Sequence, residues 1–99
     1  MIVKTLSEKH AVSVILGIYD RGEVKKMQIM DFGPSINTID ALLKTLTDEG
    51  ITAIREEMQG RRVFFVSLTE KGKRIASILD TIRKEFPDVQ KLRGYNIYK

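Results

Sequence analysis

Apolar residues recur at helical spacing in several stretches of this chain and alternate in one. Between Gly33 and Gly50, the residues Ile36, Ile39, Leu42, Leu43 and Leu46 fall on one arc at about 100° per residue. The opposite face carries Asn37, Ala41, Lys44 and Asp48, flanked by Thr38, Asp40 and Thr45. Ser35 is placed to cap this helix and Gly50 to supply the left-handed residue that ends it. An earlier helix, from Glu8 to Tyr19, carries Ala11, Val12, Val14, Ile15, Leu16 and Ile18 around most of its circumference. Ser7 is its expected cap, Leu6 its staple against Ala11, and Asp20-Arg21-Gly22 its end. Between these helices, Val24 starts a shorter segment with Met27, Ile29, Met30 and Phe32 at helical spacing, which Gly33-Pro34 must break. A short helix, a tight break and a capped longer helix are the parts of a helix-turn-helix.

After Gly50 the pattern turns to strands. Ile51 to Met58 begins rich in β-formers and becomes charged, and Val63 to Leu68 is strongly β-favouring, with Gln59-Gly60-Arg61-Arg62 between them. This predicts a hairpin with Phe64, Val66 and Leu68 facing the helices and Val63, Phe65 and Ser67 facing out. Thr69-Glu70-Lys71-Gly72 opens a last helix whose stripe of Ile75, Ile78, Leu79, Ile82 and Phe86 runs to Pro87. That stripe either covers the open side of the molecule or pairs by its outer half with a second copy, and the two-fold pairing is favoured. Val89, Leu92, Tyr95, Ile97 and Tyr98 are too apolar for a solvated tail, so the C-terminal segment is expected to dock.

Composition narrows the chemistry more than it names it. With 99 residues, 42% of them hydrophobic, the chain suits one compact unit with a modest core. The net charge of +4 is compatible with a polyanionic partner, although 13 acidic residues make the surface mixed. There is no cysteine and His10 is the only histidine, which excludes cysteine-based zinc and disulfides and disfavours a triad or a histidine metal site. The acidic residues Asp31, Asp40, Asp48, Glu49, Glu56 and Glu57 are scattered or in solvated runs, with no phosphate-binding glycine loop, so no enzyme and no cofactor is expected. No apolar run reaches a membrane span and Met1 to Ser7 is too short for a signal peptide, so a cytoplasmic location is expected.

The residues Phe32-Gly33-Pro34-Ser35, Asn37-Thr38-Ile39 and Leu43 to Ile51 resemble the turn and recognition helix of winged helix-turn-helix regulators of the MarR and PadR kind, especially their short archaeal members. Gln59-Gly60-Arg61-Arg62-Val63-Phe64 is similar to the wing of that family, and Leu68-Thr69-Glu70-Lys71-Gly72-Lys73 to its passage into the next helix. The resemblance implies an α+β, mainly helical fold with a three-helix core, a two-stranded β wing and a long C-terminal helix. The chain would then be one winged-helix domain over 1–99: a helical core over 8–50, the wing over 51–68, a C-terminal helix over 69–86 that would also serve dimerisation, and a docked tail over 87–99.

The function so implied is binding of double-stranded DNA by a homodimer, with the recognition helix in the major groove and each wing on the backbone or in the minor groove. Ser35, Asn37, Thr38, Lys44 and Thr45 would face bases or phosphates, and Arg61 and Arg62 at the hairpin tip would meet phosphates or a narrow minor groove. Lys25 and Lys26 would touch the backbone beside it, and Ile75, Ile78, Leu79, Ile82 and Phe86 would form the dimer interface. Where such regulators place polar or basic residues, this chain has Ile36, Asp40 and Ala41. Affinity therefore rests mainly on the wing with Lys25 and Lys26, or the fold serves instead as a protein-interaction module of the transcription machinery, using an exposed Phe65, the outer stripe of the last helix and Tyr95 to Tyr98. The long extra helices that build an effector pocket in MarR-type proteins are lacking, so drug or phenolic sensing is not expected.

Overall fold

A computed structural model describes residues 10–85. Its elements follow in the order α1 (Ala11–Arg21), β1 (Glu23–Lys25), a 3-10 helix (Lys26–Phe32), α2 (Ile36–Asp48), β2 (Thr52–Met58), β3 (Arg62–Leu68) and α3 (Glu70–Glu85). This is an α+β, mainly helical winged-helix arrangement, with helices, a small antiparallel wing and a C-terminal helix.

Helix α1 lies at the centre, with Ala11, Val14, Ile15, Leu16 and Ile18 buried. It starts at Ala11 after His10, which holds the N-cap position in a left-handed conformation at φ 70°, and not near Ser7 as the sequence predicts. Leu6, Ser7 and Glu8 lie outside the described residues, as do Phe86 and the tail over 87–99. Gly17 gives α1 a flat spot against which the Phe32 ring packs, so close that a methyl at Gly17 would come 2.7 Å from it. The Arg21 guanidinium lies 4.7 Å from the centroid of the same ring. The Ser13 hydroxyl donates to the Phe32 carbonyl at 2.8 Å, which fixes the end of the 3-10 helix on α1.

The segment read as a short helix is split. Glu23–Lys25 pairs antiparallel with β3, Val24 opposite Val66, and only then does the chain coil into the 3-10 helix. The wing therefore belongs to a three-stranded sheet of order β1-β3-β2, not to an isolated two-stranded hairpin. Within the 3-10 helix Ile29 alone is buried, while Met27 and Met30 are exposed. The hairpin register runs from Thr52 opposite Leu68 to Met58 opposite Arg62. Alternation then sets Phe64, Val66 and Leu68 toward the helices as predicted. Val66 and Leu68 join Val24, Ile29, Ile39, Leu42, Leu43, Leu46 and Ile51 in the core with α1.

Helix α2 ends as its sequence dictates. Gly50 at φ 76° lets its own amide reach the Thr47 carbonyl at 2.9 Å and the Ile51 amide reach Leu46 at 2.9 Å, which satisfies carbonyls that have no partner further along the helix. The next element is anchored to this turn. Thr69 donates its hydroxyl to the Gly50 carbonyl, with the Ile51 carbonyl 3.2 Å away, and accepts the Gly72 amide at 3.0 Å, capping α3. The Thr69 amide binds the same Ile51 carbonyl at 3.0 Å, and Lys71 Nζ reaches the Glu49 carbonyl at 2.8 Å. Gly72 rests so closely on Ile51 that any side chain there would overlap the carbonyl oxygen. At its other end α3 is tied to α1 by Arg83, which donates to Asp20 at 3.0 and 3.1 Å and also to Asp80. Arg83 and Lys84 together hold the Asp80 carboxyl below its ordinary range, Arg83 having the larger effect.

The apolar stripe of α3 divides along its length. Ile75 and Leu79 pack on the core, whereas Ile78 and Ile82 are 62% and 50% exposed. No described helix is long and apolar enough to cross a membrane, and no cluster of described side chains is set to hold a metal ion.

Candidate nucleic-acid interface

The buried residues Ile39, Leu42, Leu43 and Leu46 of α2 leave a continuous outer face of Asn37, Ala41, Lys44, Thr45 and Asp48. Ile36, expected on the buried arc, is instead 56% exposed at the first turn, because it lies at the arc's edge where no described helix covers it. Ser35 occupies the N-cap position in extended backbone, but its side chain makes no capping bond to the helix amides. Thr38 works back on it instead: its amide and its hydroxyl both donate to the Ser35 carbonyl, each at 3.0 Å. The Thr45 hydroxyl likewise donates to the Ala41 carbonyl at 3.1 Å.

The charges of this helix are paired. Lys44 lies 3.0 Å from Asp48 one turn on, and Asp40 forms an ion pair with Lys26 from the 3-10 helix. Lys26 also sits 5.4 Å from the centroid of the Phe64 ring, so its ammonium is held between a carboxylate and an aromatic face. The pairing with Lys26 offsets the negative charge that Asp40 places on this flank of α2. Nothing in the local sequence signals this pair, since its members are far apart along the chain and meet only when the sheet brings Phe64 beneath them.

The wing tip is Gln59-Gly60-Arg61, with Gly60 at φ 77° making the turn. Arg61 is exposed and makes no ion pair with a described residue. Arg62 lies 3.2 Å from Glu56 across the hairpin, so part of its charge is already answered. On the outer face of the sheet Arg55 is hydrogen-bonded by Glu23 and Glu57, which raises its pKa still further above the ordinary range and holds both carboxyls below theirs. Its guanidinium lies 4.4 Å from the Phe65 ring centroid. Phe65 is therefore half-buried under Arg55, and not the exposed aromatic that a protein-docking surface would want.

Lys25, Lys26, Arg61 and Arg62 line one groove of about 430 Å³, with Met27, Val63 and Phe64 as its apolar wall. Lys26 and Phe64 continue into a second hollow of about 230 Å³ bounded by Asp40, Leu43, Lys44 and Ile54. The two hollows share Lys26 and Phe64, and the second reaches one flank of α2. On the other flank, Thr38, Ala41 and Thr45 border a cavity of about 570 Å³ with His10, Gly33 and Ser35. Lys25 ends β1 and Lys26 opens the 3-10 helix, so neither sits at the start of an α-helix as the sequence predicts. Met27, placed by the sequence only at helical spacing, is exposed, and Phe64, on the face toward the helices, is half-buried; both line this groove. A Met among lysines offered no sign of that.

No protein-family model matches the sequence, and no curated protein matches it. Solved structures do. The Salmonella typhimurium protein YtfH superposes with a TM-score of 0.74 at 16% identity, over 94% of this chain and 88% of that one. The MarR family regulator NMB1585 from Neisseria meningitidis gives 0.72 at 26% identity, over 96% of this chain and 66% of its own. PadR of Bacillus subtilis, solved in complex with operator DNA, gives 0.58 at 27% identity, over 67% of this chain and 44% of its own. The fold therefore matches winged-helix transcriptional regulators of the MarR and PadR kind over most of the chain, and the neighbours named by function are regulators and not enzymes.

Proposed function

We propose that this chain is a regulator that binds double-stranded DNA as a homodimer, with α2 in the major groove and the wing against the adjacent backbone or minor groove. The observation that carries the reading is the groove in which Lys25, Lys26, Arg61 and Arg62 converge, beside the hollow that reaches one flank of α2. Phosphates spaced along one strand would be met by the tip arginines and Lys25. Base edges would be met by Asn37 and its neighbours, with Ser35, Thr38, Lys44 and Thr45 beside them. The exposed Ile78 and Ile82 of α3 would pair across a two-fold axis, with Ile75 and Leu79 behind them and Phe86 extending the contact. Half-sites would then lie about 10 base pairs apart, or a multiple of that. The molecule would act in the cytoplasm, without a cofactor.

The test is fluorescence anisotropy with mixed-sequence duplex DNA at several salt concentrations. Affinity should fall by about 0.9 log unit per log unit of salt for each phosphate contacted, and Arg61→Ala combined with Arg62→Ala should make the slope shallower by about 2. No binding at low salt would sink the proposal. A second reading, a winged helix that docks on protein, is favoured by Ile36, Ile54 and Met58, which are 56%, 43% and 69% exposed on α2 and the wing. Association through that surface would be nearly indifferent to salt.

A further inference from the structure

We infer that the outer face of α2 selects A·T base pairs in the major groove, by neutral hydrogen bonding and methyl contact. This rests on the DNA-binding reading above and deepens it by naming what the helix reads.

Each base pair presents a different edge in the major groove, and the side chains on α2 match only some of them. Guanine offers two acceptors, N7 and O6, and is read by a cationic donor, arginine or lysine. Helix α2 has no arginine and one lysine, Lys44, whose ammonium is held 3.0 Å from Asp48. Cytosine offers a donor, N4, and is read by a carboxylate. The carboxylates of this face, Asp40 and Asp48, are both occupied by lysines. Adenine offers an acceptor and a donor side by side, which a primary amide matches with its own donor and acceptor. The exposed Asn37 amide lies in the first turn, where recognition helices meet base edges, and makes no hydrogen bond with another described residue.

Thymine adds a methyl group, and α2 surrounds Asn37 with groups suited to it. Ile36 and Ala41 are exposed and apolar. The Thr38 and Thr45 hydroxyl protons are engaged by the Ser35 and Ala41 carbonyls. What these threonines have left to offer is a methyl and oxygen lone pairs, fitted to a thymine methyl and an adenine amine. The helix thus lacks a free cation for guanine and a free carboxylate for cytosine, whereas its amide and methyl groups match both members of the A·T pair.

The wing could favour A·T pairs by another route, because a narrow minor groove attracts arginine. Inosine separates the two, since an I·C pair keeps the major-groove edge of G·C but lacks the minor-groove amine. Alternating A·T, I·C and G·C duplexes of equal length should be titrated with the full chain at low salt. The expected order is A·T tighter than I·C, with I·C close to G·C, the gap being on the order of tenfold. Replacing thymine by deoxyuridine, which removes the methyl alone, should weaken binding several-fold. Asn37→Ala should erase most of the preference, whereas Lys44→Ala, which removes a contact of the binding face, should weaken all three duplexes alike and leave their order unchanged. I·C bound as tightly as A·T would assign the preference to the minor groove and overturn the inference, as would G·C bound best or a preference lost with Lys44; in each case DNA binding itself would stand. Failure to bind any of the three duplexes would overturn DNA binding and this inference together.

Discussion

Two buried glycines meet an added methyl in different ways. At Gly17 the methyl would come 2.7 Å from the Phe32 ring near its base, so the whole ring, stacked under Arg21, must tilt to make room. Alanine favours a helix interior by about 1 kcal/mol over glycine, which offsets part of that overlap, so Gly17→Ala should cost about 1 kcal/mol net. At Gly72 the obstacle is the Ile51 carbonyl, which is backbone and is held by the Thr69 amide. Gly72→Ala must therefore push α3 off the turn after α2, at a cost of about 3 kcal/mol. Urea unfolding of both variants decides this: equal losses would mean that the contact at Gly72 yields as readily as the one at Gly17.

Among the elements, the caps show how much of the fold the chain spells out locally. The span of α2 is legible from Ser35 to Gly50 because both ends are chemical signals within a few residues of the helix they bound. The α3 start is equally legible in Thr69-Glu70-Lys71-Gly72. Yet the two threonine- or serine-bearing ends differ in what their hydroxyls do. Thr69 caps α3 and binds the Gly50 carbonyl as well, whereas the Ser35 side chain caps no amide. Thr69→Ala should thus destabilise the protein by about 2 kcal/mol and Ser35→Ala by about a few tenths, read as shifts in thermal or urea midpoints. Strand β1 and the 3-10 helix are not legible in the same way. Val24 becomes a strand residue only because Val66, far along the chain, offers it an edge, and helical spacing of Met27 and Met30 describes residues that the fold leaves exposed. For the candidate site, the sequence points to the basic residues one by one. Their convergence, and the pairing of Lys26 with Asp40 over Phe64, depends on β3 lying between β1 and β2.

At the scale of the whole molecule, α3 carries both an inward and an outward apolar edge, and the outward one bears on assembly. A contact built on Ile78 and Ile82 should fail when both become glutamate, since burying two carboxylates without partners costs several kcal/mol. Sedimentation should give a dimer for the native chain and a monomer for Ile78→Glu, Ile82→Glu, with secondary structure unchanged. An unchanged mass would exclude this helix as the contact. The consequence of Gly72 seated on Ile51 then reaches beyond stability. Where α3 begins, the backbone of the turn that closes α2 is already in contact with it, with no spacer to absorb a change in angle. Two copies joined through their α3 helices would behave as the arms of a caliper whose opening is set by the side chains at the joint. A one-turn slip or a bulkier residue at Ile78 would then alter the distance between operator halves that the pair can span, without touching any residue that meets DNA.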